Sequence, residues 1–420
     1  MTDVLVHDAT ELVVGPDKGS LNRIENGAVA IEDGTVVAVG PTETVRSQHP
    51  NATQCIDASG QTVLPGFVDP HTHALFAGDR SDEFVARIEG KSYNEIMDAG
   101  GGIAVTVEAI RETSDEELLA NLLAQLDVML EHGTTTAEVK SGYGLDTQTE
   151  LRMLDTIQTA DEQHPIDLIP TFMGAHAVPA EMETDAYVEE VVEEQLPAVA
   201  EQGVAEFCDV FCEEGVFDVE QSRRILVAGR EHGLDPKIHA EEFTRIGGAQ
   251  LAAELEAASA DHLLSANEAD ANSLVEAGVV PTLLPATAFS LDEPYADAET
   301  FLDVDAPVAL GSDLNPSCFV HSMGLVVSLA CLRMKMQPDE AVLGATANAA
   351  AAIGQADGVG TLQEGTQADL TIFDLPSLVH IPYNAGTNRV EKVLKAGELV
   401  VDDGQRTGRS VATQEVPDDE

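Results

Sequence analysis

The chain has 420 residues, with 75 Asp and Glu against 21 Lys and Arg, a formal charge of -54. A charge of that sign and size excludes nucleic acid and anionic membrane surfaces as partners, and no apolar run approaches the ~20 residues of a membrane span. The length, with 44% hydrophobic residues, suits one large and one smaller domain with buried cores.

Acid this abundant must cover the whole surface. It points to a cytoplasm of high salt, where screening weakens self-repulsion, more simply than to a basic partner. The opening "MTDVLVHDATELVV" has neither the basic nor the apolar region of a secretion signal, so a cytoplasmic protein is expected. Five cysteines without a CxxC pair fit reduced thiols. Cys208 and Cys212 stand four apart in a stretch that reads as a strand, where packing is a simpler role than metal binding.

Residues 1 to about 60 alternate short apolar runs with turn signals, as in "AVAIEDGTVVAVG", the pattern of an antiparallel sheet. Between about 65 and 350, short β-branched runs alternate with long amphipathic segments, the pattern of βα units. The first strand of this series, "GFVDPHTH", ends in His71 and His73, and "AGGGIAV" at 99–105 then reads as a flexible loop over the site. In "TSDEELLANLLAQLDVMLEHG", Ser114 and Glu117 form a capping-box pattern, and apolar residues at 118, 119, 122, 123, 126 and 130 make one stripe. Gly133 supplies the stop. Seven more strands follow in order: "TTTAEVKSGYG", "LIPTFMGAH", "EFCDVFCEE", "PKIHAEEF", "SADHL", "VVPTLLP" and "PVALGSD". Eight units predict an α/β fold built on a closed (β/α)8 TIM-like barrel; the open doubly wound alternative would place a Gly-rich phosphate loop after the first strand, and none follows it. The end of the chain, "GTLQEGTQADLTIFDLP" and "VEKVLKAGELVVDDGQ", returns to short strands with Gly turns. A small β-sandwich domain from both termini, residues 1–62 with 360–420, is therefore expected beside a barrel over 63–359.

Residues two apart on a strand share a face, so His71 and His73 both point into the barrel. His176, His239, His262 and Asp313 also fall at C-terminal strand ends, where barrels carry their chemistry, whereas His7, His49, His132, His164 and His232 fall in turns or helix ends. Imidazoles with a carboxylate in a barrel mouth suit zinc or iron with an open position for water. Such an ion lowers the pKa of water and polarises a carbonyl, which predicts hydrolysis of a C–N or C–O bond. His262 belongs near the metal as a second proton-handling group, with a structural hydrogen bond as the alternative.

The order of HxH, His, His and Asp after strands one, five, six and eight, together with "ADLTIFD" near the end, resembles the amidohydrolase superfamily over essentially the whole chain. Within it, "AGDRSDEF", "EVKSGYGL", "TFMGAHAVP", "IHAEEF" and "SDLNP" resemble the imidazolonepropionase family, whose members open the ring of 4-imidazolone-5-propanoate to N-formimidoyl-L-glutamate in histidine degradation. The resemblance implies a single zinc or iron ion held by His71, His73, His239 and Asp313. It gives Glu242 the task of taking the proton from the attacking water and contacting the ring, with Glu241 as its rival. Arg80, helped by Tyr143 and Tyr93, would hold the propionate, and His176 the ring. After Asp313 the family continues with Asn, Pro, Gly and a small hydroxyl residue, whereas this chain has Asn315, Pro316, Ser317 and Cys318, so Asn315, Ser317 and Cys318 are candidate contacts in an altered product pocket. Lys140 lies on the second strand, not the fourth where some relatives carry a carboxylated lysine, and is expected to pair with nearby acids or to shape the site. A homodimer is implied, with a small molecule as the substrate. The rivals are a sister amidohydrolase deaminating a heterocycle, which would not need Arg80 and two tyrosines, and a scaffold barrel that has lost catalysis, which would lack ligands.

Overall fold

A computed structural model describes residues 2–17, 20–91, 95 and 100–408. The N-terminal part forms β1 (Val4–Asp17), β2 (Ser20–Glu32), β3 (Thr35–Pro41), β4 (Gln54–Asp57) and β5 (Thr62–Pro65). The barrel strands follow: β6 (Phe67–Asp69), β7 (Thr134–Lys140), β8 (Asp167–Ala175), β9 (Phe207–Cys212), β10 (Asp235–Ala240), β11 (Ser259–His262), β12 (Val280–Leu283) and β13 (Ala309–Leu310). The chain closes with β14 (Leu370–Phe373), β15 (Val390–Lys395), β16 (Glu398–Asp402) and β17 (Gln405–Arg406).

The termini share one mixed sheet of nine strands, in the order β17-β16-β15-β14-β5-β1-β2-β3 with β4 on β1. Antiparallel pairing of Leu370 with Pro65 and of Phe373 with Thr62 joins the end of the chain to its beginning. Its tight turns are written in the sequence. Asp33-Gly34, Ala396-Gly397 and Asp403-Gly404 each place both central residues at positive φ, the type I′ geometry that matches strand twist and favours Gly at the second position. β1 bulges between Val6 and Ala9 and between Val13 and Gly15, which bends the sheet around a core of Val4, Leu12, Ile31, Val63, Leu370 and Leu394.

The eight barrel strands pair in chain order and in parallel. β13 and β6 meet at a seam held differently. Asp313 N–H donates to His71 O at 3.0 Å and His73 N–H to Leu314 O at 2.9 Å. The fully buried Asp69 carboxylate accepts from Ser312 N–H (3.0 Å) and Ser312 Oγ–H (2.5 Å). Burial, against these hydrogen bonds, pushes the Asp69 carboxyl up to about 7. Closing the seam is what carries Asp313 to His71 and His73. Removing the carboxylate strands a buried N–H and hydroxyl, so Asp69→Ala is expected to destabilise the fold by about 2–4 kcal/mol in denaturant unfolding; an unchanged midpoint would remove Asp69 from the seam.

The helix Asp115–Glu131 starts at the predicted cap, with Ser114 Oγ accepting from Glu117 N–H at 3.3 Å, the Ser114 half of the expected capping box. It buries Leu118, Leu122, Leu126, Met129 and Leu130. Two local expectations change. Of the stretch 99–105 read as a flexible loop, residues 100–102 are non-helical while 103–105 open a helix, Ile103–Glu112, started by Gly102 at φ 80°, because the apolar Val107 and Ile110 recur at helical spacing and find the core. His7 lies inside β1, not in a turn. Cys208 and Cys212 are buried among apolar neighbours. Among the described residues, no helix is long and apolar enough to cross a membrane.

Candidate active site

The C-terminal strand ends bring four histidines and an aspartate together. His71 and His73 leave β6, His239 lies on β10, His262 ends β11, and Asp313 follows β13; all are buried. Their nitrogen and oxygen atoms form two overlapping groups, His71-His73-His239 and His71-His262-Asp313, each with ligand atoms within 4.8 Å of one another. Asp313 Oδ1 lies 3.6 Å from His71 Nε2 and 3.7 Å from His73 Nε2, and the Nε2 atoms of His73 and His239 stand 3.4 Å apart.

Several of these atoms are buried without a protein partner, namely His71 Nε2, His73 Nδ1, His262 Nδ1 and Asp313 Oδ1. Buried polar atoms are ordinarily satisfied. His71 Nε2 and Asp313 Oδ1 lie 3.6 Å apart, a spacing that suits two ligands of one cation. Burial, and then neighbouring cationic groups, hold His71, His73 and His262 well below the ordinary imidazole range. Both effects favour the neutral ring, whose lone pair suits a metal. The residues fit a divalent ion.

Groups behind the histidines fix their orientation. His71 Nδ1 is 2.6 Å from Asp261 Oδ2, and His239 Nδ1 is 3.1 Å from Asp209, so each ring turns Nε2 towards the common point. Thr287 Oγ1 donates to Asp313 Oδ2 at 2.5 Å, leaving Oδ1 for a ligand. Glu241, His262, Leu263 and Asp313 have φ between 50° and 76°, a left-handed excursion that costs non-glycine residues energy and clusters at functional sites.

The two neighbouring glutamates differ. Glu241 accepts from the backbone N–H of Ile246, Gly247 and Ala249, which commits its carboxylate to the loop. Glu242 Oε1 instead faces His262 Nδ1 at 3.7 Å. Burial, then the charges of Asp313, Glu213 and Glu293, push the Glu242 carboxyl well above its usual range, as suits a group that handles protons. Glu213 accepts from the N–H of Phe243 and Thr244 and so holds the segment that carries Glu242.

His176 stacks on His73 with ring centroids 4.7 Å apart, and its Nδ1 meets Gly142 O at 3.0 Å. Tyr143 packs against both rings, 5.8 Å from His73 and 5.2 Å from His176. Burial raises its phenol pKa, while the nearby Arg80 charge opposes the rise. Arg80 itself donates to Glu83 through Nε (3.0 Å) and Nη2 (2.8 Å), leaving Nη1 free of that pair, and lines a pocket of about 330 Å³ with Phe76, Asn121, Pro316 and Phe319. Tyr93 lies outside the described residues. Asn315 and Cys318 shape their own loop: Asn315 Oδ1 accepts from the N–H of Ser317 and Cys318, and the buried Cys318 thiol turns to Ser290 and Ser312 O. Of the three residues expected around an altered product pocket, Ser317 is the one with partial exposure and no such side-chain commitment to the loop's own turn.

The chain matches the Amidohydrolase family over residues 83–401 and the bacterial imidazolonepropionase-like composite domain over 27–52. It is 63% identical to the imidazolonepropionase of Halobacterium salinarum over 412 residues, covering 96% of this chain and 99% of that protein. The chain belongs to the imidazolonepropionase family. It is a hydrolase of C–N bonds in histidine degradation. The Haloarcula marismortui imidazolonepropionase is 59% identical over 95% of this chain and 96% of that protein, and the Geobacillus kaustophilus one 49% over 92% of each. The first two sources are halophilic archaea, consistent with the acidic composition. An adenosine deaminase from Xanthomonas campestris superposes with a TM-score of 0.74 at 19% identity, covering 97% of this chain and 94% of that one. At that distance the likeness speaks for the fold.

For this imidazolonepropionase family member, the sequence reading passed over Asp209, Asp261 and Thr287. A signal was present for the first two. Asp209 interrupts an apolar strand in "FCDVFC", and Asp261 directly precedes His262; a lone acid inside an apolar strand needs a buried partner.

Proposed function

We propose that the chain opens the ring of 4-imidazolone-5-propanoate by adding water to its carbonyl carbon and breaking the adjacent ring C–N bond, giving N-formimidoyl-L-glutamate. The observation that carries this reading is the convergence of unpartnered His71 Nε2 and Asp313 Oδ1 beside Glu242. His71, His73, His239 and Asp313 would hold one divalent ion, zinc or iron, which when bound polarises the carbonyl and acidifies water. Glu242 takes the proton from the attacking water and is placed to return it to the leaving ring nitrogen, with His262 beside it as hydrogen-bond partner. His176 stacks at the ring site. Arg80, with Tyr143 and Tyr93, takes the propionate, because a carboxylate in an enclosed mouth needs a charged, directional donor. Ser317 borders the product side, while Asn315 and Cys318 act through the loop that carries it. The setting is a high-salt cytoplasm and the assembly a homodimer, which light scattering in molar KCl distinguishes from a 44.4 kDa monomer.

The test is loss of imidazolone ultraviolet absorbance when fresh 4-imidazolone-5-propanoate meets the protein in molar KCl. Decay above the spontaneous rate without ammonia release supports ring opening; ammonia release from a purine or related heterocycle, with no imidazolone decay, would transfer the assignment to a deaminase. Arg80→Met removes a charge-assisted contact, so KM is expected to rise about 10- to 100-fold with kcat less affected. An unchanged KM would place the propionate elsewhere.

A further inference from the structure

Below the candidate ligands the barrel interior holds a group of charges that the proposed reaction does not use. Lys140 on β7 and Lys237 on β10 are both fully buried. Lys140 Nζ donates to Glu138 Oε1 (2.6 Å) and Asp209 Oδ2 (2.8 Å), and lies 3.9 Å from Asp261 Oδ2. Lys237 Nζ donates to Pro70 O (3.0 Å), the carbonyl just before His71, and lies 3.4 Å from Glu138 Oε1 and 3.9 Å from Asp261 Oδ2. Glu138 also accepts from Thr171 Oγ1 at 2.6 Å.

Stability alone gives this group little reason to exist. Barrel interiors are ordinarily filled by branched apolar side chains, and replacing a buried ion group with such residues is often neutral or stabilising. The contacts instead run outward to the histidines. One chain leads from Lys140 through Asp209 to His239 Nδ1, and another from both lysines through Asp261 to His71 Nδ1. Lys237 also fixes the backbone from which His71 leaves. The arrangement supports two ligands from two different strands through one shared anchor. It also balances charge in part, since the two lysines face the buried Glu138, Asp209 and Asp261.

We propose that Lys140 and Lys237 are positioning residues that anchor Asp209 and Asp261, so that these carboxylates hold His239 and His71 by Nδ1 and present both Nε2 atoms to the metal in one fixed geometry. The inference rests on the ligand assignment above.

Lys140→Met keeps an unbranched side chain one atom shorter and removes its charge. Metal affinity, measured by competition with a chromophoric chelator, is expected to fall about 10- to 100-fold, and the visible spectrum of the cobalt(II)-loaded protein to change. Because the variant leaves Glu138 with Lys237 as its one remaining cation, which lowers stability, Lys140→Met/Glu138→Gln is measured beside it. The double variant is expected to regain thermal stability without regaining affinity or the wild-type cobalt spectrum. Wild-type affinity and spectrum in the double variant would overturn the proposal, because the lysine would then serve only to neutralise Glu138. Lys237→Met, which releases the Pro70 carbonyl, is expected to weaken affinity in the same way, and wild-type affinity there would remove Lys237 from the anchor. A His239→Ala protein that still binds metal at full affinity would instead overturn the ligand assignment, which separates the two failures.

Discussion

Glu242→Gln is expected to keep the bound metal and the fold while kcat falls by about 10²- to 10⁴-fold, the range ascribed to a positioned proton acceptor. The substitution preserves shape, so the loss would report on the proton alone. Glu242 is buried against Asp313, and its carboxyl sits well above the ordinary range. A base works only when ionised, so wild-type kcat/KM is expected to fall as pH drops through the Glu242 pKa, and this acid limb is expected to vanish from the residual rate of the Gln variant. Glu241→Gln provides the contrast. Its three backbone contacts make it a loop residue, so its substitution is expected to lower stability more than the chemical step. Full activity in Glu242→Gln, measured by imidazolone absorbance, would remove Glu242 from the mechanism.

Loss of metal is expected to be equally severe. Chelation in molar KCl should abolish ring opening, and readdition of zinc or iron(II) should restore it. His239→Ala should remove metal and turnover together, with metal content falling from about one ion per chain towards zero. The truncation also takes the imidazole from the buried Asp209, which keeps Lys140 and the Val210 N–H as donors. Thermal unfolding of this variant is therefore measured alongside metal content. Retention of metal and activity in His239→Ala would overturn the ligand assignment.

Much of this architecture could be read from local pattern. The turns at Asp33-Gly34 and Asp403-Gly404, the Ser114 cap and all eight barrel strands rest on signals within a few residues: left-handed φ at Gly, a hydroxyl reaching the first helical turn, and short apolar, β-branched runs. The HxH spacing worked for the same reason, because a two-residue period places both imidazoles on one face. The helix at Ile103–Glu112 was missed because three preceding glycines mask a helical stripe whose burial depends on distant core residues. The roles of Asn315 and Cys318 were equally out of reach, since which way a loop side chain turns depends on what the loop packs against.

By itself the sequence determined the barrel, the terminal sheet, the identity of the metal-competent residue types and, through its family likeness, the reaction, because each is encoded in short-range periodicity or in motifs at strand ends. Only the tertiary structure decided how those motifs work together. It closes β13 onto β6 through Asp69 and Ser312, which brings Asp313 to residues some 240 positions earlier. It separates Glu241 from Glu242 by giving one of them three backbone donors, and it places Asp209, Asp261, Lys140 and Lys237 behind the histidines. The physical reason is that hydrogen bonding and charge pairing in a buried interior depend on partners from strands far apart in the chain, and no local pattern names them.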